Sequence, residues 1–233
     1  FNVDLMFGLP NQTLEQFQFD VKKALEWDPT HLSFYALELA EQTPYAKSER
    51  VRKSWKEAQE ITTDMYFWAA DYLENNGWEH YEVSNFAKPN YQGRMNKMVW
   101  NGSGYLGVGV GAHSYDGKSR WGNIRPLHRY LELLKKNCWP TAFTETLTQT
   151  EKANEFLMLQ LRQTKGLSLK KWEGDFVPKN WMDNHSDVLR AWQKEGLLNC
   201  IGNRIVLTKK GLLVADALTA ESVSYTHLTL PTT

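Results

Sequence analysis

The sequence predicts an α/β fold, an open or partial (β/α) barrel over residues 1–125 followed by a small helical, winged-helix-like domain over residues 126–222. Three observations carry this expectation. Strand and helix patterns alternate through the first hundred residues, amphipathic helices take over from about residue 127, and a short hairpin with a following helix closes the chain.

Phe1–Phe7 alternate, with Asn2, Asp4 and Met6 on one face and Val3, Leu5 and Phe7 on the other, the period of a strand. Gly8-Leu9-Pro10-Asn11-Gln12 breaks it. Thr13 then opens a helix with Gln16 three positions on, the pattern of a capping box. Leu14, Phe17, Val21, Ala24 and Leu25 give that helix an apolar stripe, which ends before Asp28-Pro29. A second strand is expected over Leu32–Glu38, a long helix over 53–75 stopped by Asn76-Gly77, and a third strand over Glu79–Asn85. Connections of this length predict a parallel sheet with right-handed crossovers. Further on, helices are expected over Leu127–Lys136, Glu151–Arg162 and Val188–Lys194. A hairpin about Gly202-Asn203 and a single helix over Lys210–Ala220 complete the second domain. Residues 223–233 show no periodicity and are set apart as a non-native or disordered tail.

Twenty-seven basic and 27 acidic residues balance, which removes the electrostatic basis for a nucleic-acid or membrane-surface partner. No apolar run approaches the roughly 18 residues of a membrane span. The opening residues have no basic n-region of a signal peptide, and a start inside a strand without Met is that expected of a fragment. Cys138 and Cys200, 62 positions apart, offer neither a metal-ligand spacing nor a disulfide framework. Their apolar neighbours predict buried structural thiols in a reducing cytoplasm.

Asp4 is the first candidate for chemistry. The apolar face of its strand must meet the outer helices, which turns Asn2, Asp4 and Met6 toward the barrel interior. A carboxylate there requires donors. A ribose diol supplies two; backbone or lysine groups are the structural alternative. Gly8–Thr13 joins a strand end to a helix N-terminus, where backbone N–H groups face the barrel mouth.

Gly107-Val-Gly109-Val-Gly111-Ala-His113 superficially matches a dinucleotide fingerprint. That fingerprint demands a following helix, whereas Ser114-Tyr115-Asp116-Gly117 reads as a turn. The alternating glycines are instead expected to permit close approach of a ligand or a neighbouring strand. His113 then either packs or faces the ligand. Glu82, Ser84 and Asn85 place polar groups at the end of the third strand, either toward a ligand or at a solvated terminus. His31, His80, His128, His185 and His227 are scattered without ligand spacing. Trp55, Met65, Trp68 and Tyr72 recur at helical spacing as a core stripe.

Several blocks together resemble one family. Asp4-Leu-Met-Phe-Gly-Leu-Pro-Asn-Gln-Thr13 is similar to the D-L-[IM]-[YF]-G-L-P-x-Q-T block of oxygen-independent coproporphyrinogen oxidases and their HemW-type relatives. Leu32–Leu37, Gln42–Tyr45, His80–Ala87 and Tyr105–Ser114 follow in the family's order, as do Glu155–Leu159 and Glu195–Leu198. The wording Tyr-Glu-Val-Ser-Asn-Phe-Ala, and Ala-His-Ser after the glycines, resembles the HemW branch. The resemblance implies the C-terminal half of a radical-SAM partial barrel followed by a winged-helix-like domain. In that family a C-x-x-x-C-x-x-C loop binds a [4Fe–4S] cluster, whose fourth iron is chelated by S-adenosylmethionine (SAM).

No such loop occurs in these 233 residues, so the chain alone is expected to bind no cluster and to be inactive. By resemblance Asp4 meets the ribose of SAM, and His113, with Gly109 and Gly111, lies near its adenosyl group. HemW-type proteins usually carry H-N-x-x-Y-W, associated with haem; here the stretch is Met95-Asn96-Lys97-Met98-Val99-Trp100, which keeps Asn96 and Trp100 but not the imidazole. Met95 either offers a thioether to haem iron or fills a gap in the core. The function implied is cytoplasmic haem or porphyrin handling with delivery to acceptor proteins. The alternatives are a coproporphyrinogen dehydrogenase and a domain that binds without chemistry.

Overall fold

A computed structural model describes residues 1–176 and 185–222. The tail set apart at 223–233 lies outside the described residues. Packing divides the chain into two compact units, Phe1–Gly93 and the part from Arg94 on.

The first unit is a sheet with helices. β1 (Asn2–Phe7) and β2 (His31–Ala36) pair in parallel, joined through α1 (Leu14–Leu25). The capping box at Thr13 and Gln16 forms, each side chain bonding the other's backbone N–H. Gly8 makes the sharp exit from β1 at a φ of 68°, where a Cβ would lie 2.9 Å from Thr62 Oγ1. After the short α2 (Pro44–Lys47) comes α3 (Glu49–Asn75), of 27 residues. Its buried stripe is Ala58, Thr62, Met65, Tyr66, Ala69, Ala70 and Leu73. Trp68 and Tyr72 stack on each other at its edge, with ring centroids 4.8 Å apart, while the Trp55 indole donates to Leu37 O. The core joins this stripe to Phe7, Phe17, Leu32, Phe34 and Phe86.

The wholly parallel sheet expected from the βα rhythm is not what forms. The segment expected as one strand, Glu79–Asn85, folds back as a hairpin of β3 (Glu79–Glu82) and β4 (Asn85–Ala87). β4 inserts between β2 and β3, antiparallel to both, giving the order β1-β2-β4-β3. The cause is local. The Glu82 carboxylate accepts the Ser84 N–H and the Asn85 side-chain amide across the turn, stabilising a reversal that needs neither Gly nor Pro.

The second unit begins with α4 (Arg94–Trp100). A three-stranded antiparallel sheet follows, β5 (His113–Tyr115), β6 (Ser119–Asn123) and β7 (Thr141–Thr146), with α5 (Leu127–Lys135) between the last two. The expected turn over Ser114–Gly117 is therefore shifted, because Ser114 and Tyr115 belong to β5 and the reversal falls at Asp116–Lys118. A hairpin rather than a helix follows the glycines, in keeping with the exclusion of a dinucleotide motif.

The rest of this unit combines α6 (Gln149–Leu161), β8 (Leu167–Ser168), α7 (Leu169–Asp175), α8 (Ser186–Lys194) and the hairpin β9 (Leu198–Ile201)–β10 (Arg204–Leu207). The small sheet has the order β8-β10-β9. The single closing helix expected over Lys210–Ala220 is two, α9 (Lys209–Leu212) and α10 (Ala215–Ser222). Thr208 caps the first through the Gly211 N–H. Phe156, Trp172 and Phe176 stack at the centre of this layer.

Both cysteines are exposed, which corrects the expectation of buried thiols. The apolar residues directly adjacent do not bury them, being themselves in solvent: Trp139 is 79% exposed and Ile201 60%. Cys200 sits toward the hairpin tip, beyond the core contacts of Leu198 and Leu207. Among the described residues no helix is long and apolar enough to cross a membrane.

Candidate functional site

The polar face of the first sheet gathers the residues with the most chemistry. Strand register aligns Asp4 with Ser33, Ser33 with Asn85, and Asn85 with Glu82, a polar row across all four strands. One row over, Asn2 aligns with His31. Glu82 and Asn85 are buried, at 1% and 6% exposure. They are thus not the solvated strand terminus that was one reading of this segment; the hairpin folds them under.

Asp4 itself is exposed, not buried as expected of an inward barrel residue. The face it shares with Met6, which is 48% exposed, is open in this unit, so the carboxylate has no burial cost to offset. Its Oδ1 accepts the Asn2 side-chain amide at 2.6 Å. Asn2 Oδ1 in turn lies 2.6 Å from His31 Nδ1, and His31 Nε2 lies 2.7 Å from the Tyr81 hydroxyl. That hydroxyl also accepts the Gly93 N–H at 3.3 Å. Ser33 Oγ stands between the two Asn2 side-chain atoms, at 3.2 and 3.3 Å. Burial pushes the His31 pKa below its ordinary value against the opposing pull of Asp4, so the ring is neutral near pH 7.

Asn2, Ser33, His31 and Tyr81 were missed in sequence as members of a site. The signal for Asn2 was its place two residues before Asp4, on the same strand face. His31 and Tyr81 are 50 positions apart and meet because the β3–β4 hairpin folds back onto β2 and brings β3 into the same sheet.

The glycine segment lies in the second unit. A Cβ on Gly107 would stand 2.1 Å from His113 O, so the glycine permits close approach of β5, the neighbouring-strand reading of the motif. Tyr105 and Tyr115 bridge by two backbone hydrogen bonds beside it, and the Gly107 N–H donates to Ser114 Oγ. Gly109 is held by its backbone: its N–H donates to the Tyr130 hydroxyl and its carbonyl accepts the Asn123 side-chain amide. Gly111 and His113 line an open cleft of about 500 Å³ together with Asn123, Arg125, Phe143 and Glu145. The His113 ring packs edge-on against Phe143 at a centroid distance of 5.4 Å, so it is both packed and cleft-lining.

The Met95 stretch forms α4. Met95 is 54% exposed and fills no gap in its unit, contrary to the core-filling expectation, because the seven-residue helix buries none of its side chains fully. Trp100 turns the other way, its ring under the Arg162 guanidinium at 5.4 Å and its carbonyl accepting Gln160 and Gln163. Asn96 is partly buried.

The fit to cofactors differs by group. Asp4 Oδ2 has no hydrogen bond from the described residues, and an exposed carboxylate oxygen of this kind suits a ribose diol. An iron–sulfur cluster does not fit: among the described residues no group of three His, Cys, Asp or Glu is placed to hold a metal. Haem fits only in part, since α4 offers an exposed thioether and no imidazole.

Comparison with known proteins bears on these features. The HemN C-terminal domain matches residues 147–214, the segment of the aromatic layer and the small β8-β10-β9 sheet. The heme chaperone HemW of Bacillus subtilis is 31% identical over 215 residues, 92% of this chain and 56% of that protein. HemW of Lactococcus lactis is 33% identical over 174 residues, 75% of this chain and 45% of that protein. The chain is a homologue of the HemW proteins that carries a HemN C-terminal domain. This HemW/HemN relative is also 32% identical over 181 residues to the zebrafish protein named radical S-adenosyl methionine domain-containing protein 1, mitochondrial, covering 74% of this chain and 40% of that one. Its fold is that of Escherichia coli coproporphyrinogen III oxidase (HemN), described as a radical SAM enzyme. The TM-score is 0.70 at 20% identity, over 97% of this chain and 55% of the other. The chain spans about half the length of the curated relatives it matches.

Proposed function

We propose that this segment supplies part of the SAM-facing surface of a HemW-type radical-SAM protein that handles haem or a porphyrin for delivery to acceptor proteins. In this reading residues 1–125 complete the partial barrel and 126–222 form the helical appendage. The observation that carries it is Asp4, whose strand places one carboxylate oxygen on Asn2 and leaves the other open to a ligand diol. Identities of 30–36% to heme chaperones over as much as 93% of the chain favour the haem-handling branch. SAM, once bound to its cluster in the full-length protein, supplies the radical chemistry. Asp4 is assigned to the ribose, and the family resemblance alone assigns His113 and Gly111 to the adenosyl group. The cluster's ligands come from outside this segment. The protein works in the cytoplasm, where two exposed free thiols such as Cys138 and Cys200 stay reduced.

The test is to add haem to the full-length protein and follow the Soret band and haem retention, with anaerobic coproporphyrinogen III turnover measured in parallel. A shifted Soret band and negligible decarboxylation are expected. Robust turnover, or a Soret band identical to that of free haem, would overturn the haem-handling assignment.

A further inference from the structure

The hydrogen-bond chain leading away from Asp4 admits one assignment of protons. An ionised carboxylate only accepts, so the Asn2 side-chain atom 2.6 Å from Asp4 Oδ1 is the amide nitrogen. The other Asn2 atom is then the carbonyl oxygen, which also only accepts. His31 Nδ1, 2.6 Å from it, must carry the proton. A neutral ring protonated at Nδ1 has a bare Nε2, and the Tyr81 hydroxyl 2.7 Å away is the donor that satisfies it. The Tyr81 oxygen also accepts the Gly93 N–H. Each link thus fixes the next, from the Asp4 carboxylate to the Tyr81 hydroxyl. Burial of the His31 ring keeps it neutral and the assignment single-valued.

We infer that Asn2, His31 and Tyr81 form a positioning relay that presents Asp4 to a vicinal diol, with His31 fixed as its Nδ1–H tautomer. None of the three touches the ligand; they act through Asp4. Without the His31 donor the Asn2 carbonyl keeps only the longer Ser33 contact, which holds the amide less firmly, and an amide turned about χ2 sets its carbonyl against the carboxylate. The relay deepens the reading of Asp4 as the ribose anchor and rests on it for its function, though not for its geometry.

Two measurements on the chain separate the layers. In the first, ¹⁵N NMR of the histidines and side-chain couplings of Asn2 are recorded without ligand. The expected result is a bare Nε2 at His31 and a single Asn2 χ2 rotamer, with its amide nitrogen toward Asp4. His31→Ala should average that rotamer, and His31→Asn should restore it, because an asparagine amide N–H takes the place of Nδ1–H. Tyr81→Phe should move His31 toward the Nε2–H tautomer. An Nε2–H tautomer in the unsubstituted chain, or an Asn2 rotamer indifferent to His31→Ala, overturns the relay. The second is calorimetric titration with adenosine. His31→Ala should weaken binding about fivefold, with His31→Asn returning it to within about twofold, the scale of one oriented hydrogen bond. Adenosine binding that ignores Asp4→Asn would refute the ribose role of Asp4, and the NMR result would still decide the relay.

Discussion

Trp172→Ala should cost the second unit about 3–5 kcal/mol of stability, the range for truncating a fully buried tryptophan. Trp172 is 1% exposed and stacks with Phe156 at 6.2 Å and with Phe176 at 5.9 Å, while Phe156 and Phe176 stack on each other at 4.4 Å. The substitution leaves a void between α6 and α7 that three parallel rings cannot close without losing their mutual contacts. A domain of this size is stable by about 5–15 kcal/mol, so the loss is a large share of the whole. Denaturant unfolding followed by a probe in this unit should show the midpoint falling sharply. Trp172→Phe, which keeps most of the volume, should fall much less. A change below about 1 kcal/mol in Trp172→Ala would mean that the aromatic stack is not the centre of this layer.

Gly107→Ala is expected to be nearly as damaging for a different reason. The added methyl would lie 2.1 Å from His113 O and 2.8 Å from His113 C, so the obstacle is backbone rather than a side chain that can swing aside. Overpacking of this kind costs about 1–3 kcal/mol and occasionally more. It acts locally, prising β5 from Tyr105 and breaking the paired hydrogen bonds between Tyr105 and Tyr115. Amide exchange at Tyr115 should accelerate before global stability changes. Gly174→Ala is the control: it has open space around the new Cβ, lies within α7, and should be neutral or slightly stabilising. Equal amide protection at Tyr115 in Gly107→Ala and in the unsubstituted chain would contradict the close-approach role of the glycine.

The parts of this fold legible in sequence are those whose signals are local. The alternation in β1, the capping box at Thr13 and the hairpin about Gly202-Asn203 each depend on a few neighbouring residues, and each forms. β7 was invisible because Thr141–Thr146 does not alternate in polarity, and all six residues are exposed. Its three threonines, which favour extended backbone, were the available clue. The β3–β4 reversal was hidden because a buried carboxylate, not a turn residue, holds it.

The site divides along the same line. Asp4 was singled out because one strand's periodicity and the family block agree on it. Its surroundings were not readable, since exposure depends on which strands cover the face, and the His31–Tyr81 contact depends on a folded-back hairpin. Burial of the thiols and of Met95 is not legible in sequence for one shared reason: apolar sequence neighbours do not bury a residue on a short helix, in a connecting loop or toward a hairpin tip.

The central claim, that the open oxygen of Asp4 receives a ligand diol, is tested most directly by equilibrium binding of SAM to the full-length protein and to its Asp4→Asn variant. Removing the charge while keeping the shape should weaken SAM binding about tenfold or more, the scale of a lost charge-assisted hydrogen bond. Equal affinity in the two proteins would contradict the account.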